Sequence, residues 1–197
     1  MYKTHRVVME ELASFATPKS KLSKMIRSKE ILHLKRGVFL ERNDQSYSKL
    51  SIASVLYGPS YISFESALAY YGMIPDQVKG ITSATYNKNK NKKFHTPIGD
   101  FYYYYLPKFA YPFGIVRKEE REQGFLIATP EKAILDLIYK NPNLKEVNEL
   151  KDFLVEDKRI EEDCLSRLDK SEVTNISLFY KQPQCLLFPK MLWKYYE

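Results

Sequence analysis

The hydrophobic period changes within the first 41 residues, and this change limits the folds that the chain can adopt. Val8, Leu12 and Phe15 recur at i, i+4 and i+7, which is the spacing of an amphipathic helix. A second helix is predicted to follow Thr17, a residue that can cap it, with Pro18 at its first position. Two amphipathic helices are therefore expected before any strand.

Beyond these helices the apolar residues alternate instead. Leu32 and Leu34 flank a histidine, and the alternation resumes after Gly37. This period is typical of two short strands joined by a tight turn. Gly37 accepts the positive φ that such turns need, and Lys35 and Arg36 are predicted to lie at the tip. Helix, helix and hairpin is the order of a winged helix-turn-helix, although three helices usually precede the wing.

Basic residues are concentrated in the same segment. The chain has 197 residues and a net charge of +7; residues 1–50 hold 11 Lys and Arg against 5 Asp and Glu, whereas residues 141–197 hold 9 against 11. A polyanion suits such an end, and nucleic acid is the leading candidate. Lys19 and Lys21 would lie in the first turn of the second helix, where positive charges interact unfavourably with the helix dipole. This placement is favourable if an anion binds at that end of the helix. The alternative is a charged face that contacts only water.

Double-stranded DNA is therefore the expected partner of this segment. Phosphate contacts would position the protein, and side chains reaching base edges would specify the sequence. The candidate DNA-binding residues are the non-apolar residues of the second helix and the tip of the hairpin: Lys19, Ser20, Lys21, Ser23, Lys24, Arg27, Lys35 and Arg36.

The rest of the chain predicts a larger mixed domain. Polar residues 42–48 are typical of a linker, so we place a winged-helix domain at residues 1–45 and a second domain at residues 46–197. Helices are predicted near residues 48–57 and 63–71 and again from residue 130 onward, with strands at 79–86, 93–106, 111–117 and 123–128. The fold class is therefore α+β, with a winged helix-turn-helix, a mixed α/β domain and a helical tail.

The stretch YISFESALAYYG could be a nucleophile site or the beginning of a buried helix. Ser63 stands where a helix cap belongs, and Glu65 in the first turn favours the helix dipole. No Gly-x-Ser-x-Gly elbow and no nearby histidine supports a nucleophile. We expect no catalytic residue, and an enzyme is the least favoured class of function.

The sequence contains no motif for metal or cofactor binding either. The three histidines are scattered, no Cys-x-x-Cys occurs, and glycine-rich phosphate loops are absent from the sequence. Cys164 and Cys185 are expected to be free thiols. No secretory signal and no apolar run of about 20 residues is present. We expect a cytoplasmic protein without metal, cofactor, membrane or small-molecule substrate.

The stretch FYYYYLPKFAYPF, residues 101–113, leaves two interpretations open. In a strand, Phe101, Tyr103 and Tyr105 would share one face and Tyr102 the other. Both faces can be covered by the protein itself. Alternatively, one is available to a partner protein, and the chain is then a protein-interaction module.

Three motifs in series resemble the AbiEi-type antitoxins, also called AbiEi-family transcriptional regulators. They are ILHLKRGVFL, YGPSYISFESALAYYGMIP and LIATPEKAILDLIY, between about residues 31 and 139. The resemblance implies a winged-helix DNA-binding domain followed by an antitoxin domain. It also implies that the protein represses its own operon and counters a nucleotidyltransferase-like toxin encoded beside it, without a stable complex, in the type IV arrangement. The second helix would then be the recognition helix and Lys35 and Arg36 the wing tip. In the alternative interpretation, the chain is an interaction module that binds this toxin directly through the tyrosine-rich surface. An enzyme that acts on the toxin or on nucleic acid is the third and least favoured function.

Overall fold

The structure is a computed structural model that describes residues 2–44, 46–75 and 78–196, and its fold is α+β. The chain begins with a short strand, two helices and a hairpin: β1 (Lys3–Thr4), α1 (His5–Glu11), α2 (Pro18–Arg27), β2 (Ile31–Lys35) and β3 (Val38–Glu41). The three strands form an antiparallel sheet in the order β1-β3-β2.

Local sequence signals set the limits of these elements. The Thr4 hydroxyl accepts a hydrogen bond from the Val7 amide and caps α1. Pro18 occupies the first turn of α2 as predicted, but the Thr17 side chain makes no capping hydrogen bond. Arg36 and Gly37 form a two-residue loop, since Lys35 pairs with Val38, and Gly37 has the expected positive φ of +80°.

Both faces of the small sheet are covered. Val8, Leu12 and Leu22 of the helical segment pack with Ile31 and Phe39 on one face. The other face, formed by Leu34, Val38 and Leu40, belongs to the main core of the protein. Phe15, predicted to extend the stripe of the first helix, lies beyond the end of α1 and is 45% exposed.

The second part of the chain contains a six-stranded sheet. Its elements up to the tail are α3 (Lys49–Leu56), β4 (Ser60–Ile62), α4 (Phe64–Tyr70), β5 (Gly80–Thr85), β6 (Lys92–Thr96), β7 (Gly99–Tyr105), β8 (Ile115–Glu120), β9 (Gln123–Ala128) and α5 (Pro130–Tyr139). The strand order is β6-β7-β5-β4-β9-β8. Strands β5 and β7 are parallel, as are β4 and β9, and the other neighbours are antiparallel.

Two strand predictions were wrong in detail. The predicted strand 93–106 is a hairpin, because the chain turns at Pro97 and Ile98 between β6 and β7. The predicted strand 111–117 starts at Ile115 and extends to Glu120. In addition, β4 is a strand of only three residues, which was not predicted as a strand.

The predicted helical tail is present. It consists of α6 (Val147–Asp152), which continues as a wider π-helical turn (Phe153–Asp157), then α7 (Glu162–Ser166), α8 (Lys170–Ser177) and α9 (Leu187–Tyr195). Short 3-10 turns (Leu178–Tyr180 and Pro183–Leu186) join the last two helices. Within the described residues, no helix is long and apolar enough to cross a membrane.

Candidate nucleic-acid interface

The exposed side of α2 carries most of the predicted DNA-binding residues. Successive residues are about 100° apart around a helix, so Lys19, Ser23, Arg27, Ser20 and Lys24 follow one another across an arc of about 140°. All five are exposed. The opposite side of α2, centred on buried Leu22, packs against the small core. The helix therefore presents one continuous polar surface with three basic residues.

Lys21 does not lie on this arc. At about 200° it falls beyond Lys24, beside the half-buried Met25. Its ammonium group lies 5.2 Å from the ring centroid of Phe15, a cation–π contact within the N-terminal segment. Lys21 can add to the local positive potential, but it is not placed to read DNA with the other residues of α2.

The acidic residues near α1 and β1 do not neutralise α2. Lys3 is paired with Glu11 at 2.7 Å and with Glu41 at 2.5 Å, and Arg6 is paired with Glu10 at 2.8 Å. Hydrogen bonds to Glu11 and then to Glu41 raise the pKa of Lys3 above its ordinary value.

By contrast, Lys19, Lys24 and Arg27 have no ion pair with any described residue. The charge of this segment is therefore unbalanced on the arc of α2, where a polyanion could approach it.

The N-terminal end of α2 is open. An exposed cavity of about 570 Å³ lies there, lined by Met9, Ala13, Thr17, Pro18, Lys19 and Ser20. The first turn of α2 contains no acidic residue. Because the partial positive charge of a helix N-terminus and Lys19 act in the same direction, this end favours an anion.

Ser20 and Ser23 differ in their freedom to donate hydrogen bonds. The Ser23 hydroxyl donates to the Lys19 carbonyl oxygen at 3.0 Å, so its lone pairs remain available as acceptors. Ser20 makes no side-chain hydrogen bond with the described part of the protein, and its hydroxyl can both donate and accept.

The hairpin tip consists of Arg36 and Gly37, and the assignment of Lys35 requires correction. Lys35 is the last residue of β2, half-buried, and its ammonium group donates to the Leu56 carbonyl oxygen at 2.7 Å. A lysine at the C-terminus of α3 satisfies a free carbonyl and complements the helix dipole. Lys35 therefore holds the hairpin against α3, and Arg36 is the exposed cation at the tip.

The tyrosine-rich stretch is largely covered by the protein itself. Phe101 and Tyr103 are buried, and the Tyr103 hydroxyl donates to the Ala53 carbonyl oxygen at 2.7 Å. The Tyr104 ring lies under the Lys140 ammonium group, 3.5 Å from the centroid. Tyr105 is exposed at the end of β7. Of the five tyrosines in this stretch, Tyr105 alone is exposed, although Phe109 and Phe113 farther along are exposed too.

A buried polar cluster, which the sequence analysis missed, lies beneath α5. Asp136 accepts hydrogen bonds from the hydroxyls of Tyr61 at 2.9 Å, Ser63 at 2.6 Å and Tyr180. The Lys132 ammonium group lies 3.1 Å from Asp136 and donates to Tyr180 Oη at 2.7 Å. Lys132 and Asp136 are four residues apart, a spacing that places them on the same side of a helix. This spacing is the signal in the sequence that points to the pair.

Ser63 occupies the N-cap position of α4, as predicted. Ser63 precedes α4 with extended backbone, but its side chain makes no capping hydrogen bond. Instead its hydroxyl donates to Asp136, 73 positions along the chain. Glu65 does lie in the first turn of α4 as predicted.

The cluster is closed to solvent, and burial changes the pKa values of several of its groups. Burial lowers the pKa of Lys132, raises the pKa values of Tyr61 and Tyr180 well above normal, and raises the pKa of the Cys185 thiol to about 12. Lys132 and Asp136 are both 0% exposed. The cluster joins β4, α5 and the helical tail, and we interpret it as structural.

The remaining site predictions concern thiols and metals. Cys164 and Cys185 are free, as predicted. Across residues 2–44, 46–75 and 78–196, no group of three or more His, Cys, Asp or Glu side chains could hold a metal ion.

Comparisons with known proteins identify a related fold. No protein-family model matches the chain, and no curated protein matches it. The crystal structure of the Rv2827c protein from Mycobacterium tuberculosis is similar, with a TM-score of 0.55 at 14% sequence identity. The similarity covers 98% of this chain and 76% of that one, so it includes the N-terminal helices and hairpin as well as the large sheet. At this identity it shows the fold alone.

Proposed function

We propose that the protein is a DNA-binding antitoxin that represses its own operon, with α2 as the recognition helix of a winged helix-turn-helix. The main support for this proposal is the polar surface of α2. On this surface Lys19, Lys24 and Arg27 are exposed and have no ion pair in the described structure. A helix of this kind fits the major groove of B-DNA, about 12 Å wide.

The position of each residue on the arc suggests its role. Arg27, Ser23 and Ser20 lie at its centre, at about 80°, 40° and 100°, and would reach base edges. Lys19 and Lys24 lie at its two margins, at about 0° and 140°, and would contact phosphates on either side of the groove. Arg36 at the hairpin tip would contact the adjacent backbone.

The antitoxin role rests on the resemblance to AbiEi-type proteins. Two of the three motifs that carry it meet in space, because β4 pairs with β9 and Ser63, which precedes α4, bonds to Asp136 of α5. The third motif is the β2–β3 hairpin, tied to α3 through Lys35. We propose that the partner is a nucleotidyltransferase-like toxin from the neighbouring gene, and that the part of the chain beyond the hairpin counters it.

DNA titration tests the repressor role. The upstream promoter duplex is titrated with wild-type protein and with Lys19→Glu/Lys24→Glu/Arg27→Glu. The triple variant should lose binding and salt dependence, because six units of charge change on the arc. A charge-matched control, Lys108→Glu/Lys145→Glu/Lys190→Glu, alters exposed lysines outside residues 1–50 and should bind much more tightly than the α2 variant. Equal binding by both variants would refute the role of α2.

Growth rescue tests the antitoxin role separately. The neighbouring toxin gene is expressed with wild-type protein or with the triple α2 variant, each from a promoter that the protein does not control. Both proteins should restore growth if the antitoxin action lies beyond the hairpin. Failure of the wild-type protein to restore growth would refute the antitoxin assignment without affecting the DNA titration.

A further inference from the structure

Beside the hairpin tip, a second basic surface begins where β2 meets the end of α3. Lys35 contacts the Leu56 carbonyl oxygen, so the hairpin tip lies next to Tyr57, the following residue. The exposed Arg36 follows Lys35 in the chain. Any nucleic acid backbone that contacts Arg36 therefore passes close to Tyr57.

Two lysines lie over the aromatic rings at this position. The Tyr57 and Phe94 ring centroids are 6.0 Å apart. The Lys88 ammonium group lies 5.2 Å from the Tyr57 centroid, and the Lys92 ammonium group lies 5.8 Å from the Phe94 centroid. We refer to Tyr57, Lys88, Lys92 and Phe94 as the Tyr57 ledge.

The ledge leaves its cations available to a ligand. The ammonium groups of Lys88 and Lys92 have no ion pair or hydrogen bond with another described residue. Because each ammonium group lies over a ring, a cation–π contact restrains it while its N–H donors have no partner in the described structure. Strand β6 is also an end strand of the large sheet, so its outer edge has no strand partner in that sheet.

The next residue along the strand provides a contrast. Lys93 lies on the opposite face of β6, where its ammonium group is 4.7 Å from the Tyr102 ring centroid. It is paired with Asp100 at 3.4 Å. Its charge is therefore balanced, while those of Lys88 and Lys92 are not.

We propose that the Tyr57 ledge is a second binding site for the phosphate backbone of duplex DNA, continuous with the hairpin tip. This inference rests on the proposed function, since α2 must place the DNA first. The two lysines would contact phosphates and not base edges. They would therefore raise the affinity for every DNA sequence by the same amount and would not contribute to sequence specificity. Lysines on an edge strand can also serve only to prevent pairing with another sheet, and that role involves no DNA.

The salt dependence of DNA binding distinguishes these roles. Lys88→Gln/Lys92→Gln removes both charges and keeps most of each side chain, and Lys93→Gln is the matched control. Each is titrated with the upstream duplex and with a scrambled duplex between 50 and 200 mM salt. Each lost phosphate contact lowers the slope of log affinity against log salt by roughly 0.9. The slope of the double variant should therefore be smaller than that of the wild type by nearly two units. Between 50 and 200 mM salt, the wild type should lose about ten times more affinity than the double variant does.

The outcomes separate this inference from the proposed function. The control should retain the wild-type slope, and the double variant should lose affinity equally on both duplexes and keep the wild-type melting temperature. If the slope of the double variant equals that of the wild type while the triple α2 variant fails to bind, the ledge is not a DNA site and the proposed function stands. If the wild type itself shows no salt-dependent binding, both proposals are refuted.

Discussion

Replacing Ser63 distinguishes the buried cluster from a simple helix cap. The Ser63 hydroxyl donates to Asp136 at 2.6 Å, and both residues are 0% exposed. Ser63→Ala removes a hydrogen bond to a charged group, which costs about 2 kcal/mol. Ser63→Asp places a second carboxylate against Asp136. At about 4 Å and an effective dielectric constant of about 20, their repulsion adds about 4 kcal/mol.

Urea unfolding followed by circular dichroism measures this difference. The expected order of the free energy of unfolding at pH 7 is wild type, then Ser63→Ala, then Ser63→Asp. Burial and Asp136 raise the pKa of the introduced carboxyl above its unfolded value, so its protonated form is favoured in the folded protein. The Ser63→Asp deficit should therefore shrink as the pH is lowered from 7. A Ser63→Asp protein at least as stable as Ser63→Ala at pH 7 would mean that residue 63 caps α4.

Further substitutions test three other features: the buried ion pair, the side chains of the hairpin and its turn. Asp136→Ala leaves the buried Lys132 without its counter-ion and should lower the free energy of unfolding in urea by about 3–5 kcal/mol. Lys132→Met/Asp136→Leu removes both charges and should recover part of this loss. A double variant no more stable than Asp136→Ala would contradict this explanation. Lys35→Gln should lower the free energy of unfolding by about 1 kcal/mol and leave the salt slope of DNA binding unchanged. Arg36→Gln should instead reduce that slope by roughly one unit. The opposite pattern would mean that Lys35, and not Arg36, contacts DNA. Gly37→Ala should cost about 1 kcal/mol because residue 37 has φ of +80°, and an unchanged melting temperature would count against that cost.

Local signals predicted most of the local structure. Helix α5 begins at Pro130, where a helix was predicted, and the Thr129 hydroxyl caps it by accepting a hydrogen bond from the Lys132 amide. Gly37 provides the hairpin turn, and Pro18 the start of α2. Each depends on a few consecutive residues, so the sequence alone contains the necessary information.

Long-range contacts account for what the sequence analysis missed. Lys35 was predicted at the tip because nothing near it in sequence reveals the end of α3, 21 residues later. Likewise, the Tyr180 hydroxyl reaches Asp136 across 44 residues, so the helical tail completes a cluster that α5 begins. A period of alternating apolar residues also could not show that β2 and β3 are covered on both faces.

The most direct test of the account compares Arg27→Ala with Lys19→Ala on two duplexes of equal length, the upstream promoter and a scrambled sequence. Arg27 lies at the centre of the α2 arc and Lys19 at its margin. If α2 reads DNA, Arg27→Ala should narrow the affinity gap between the duplexes by about 1–3 kcal/mol. Lys19→Ala should weaken binding to both equally and reduce the salt slope by about one unit. An affinity gap that Arg27→Ala leaves unchanged would contradict the assignment of α2 as the recognition helix.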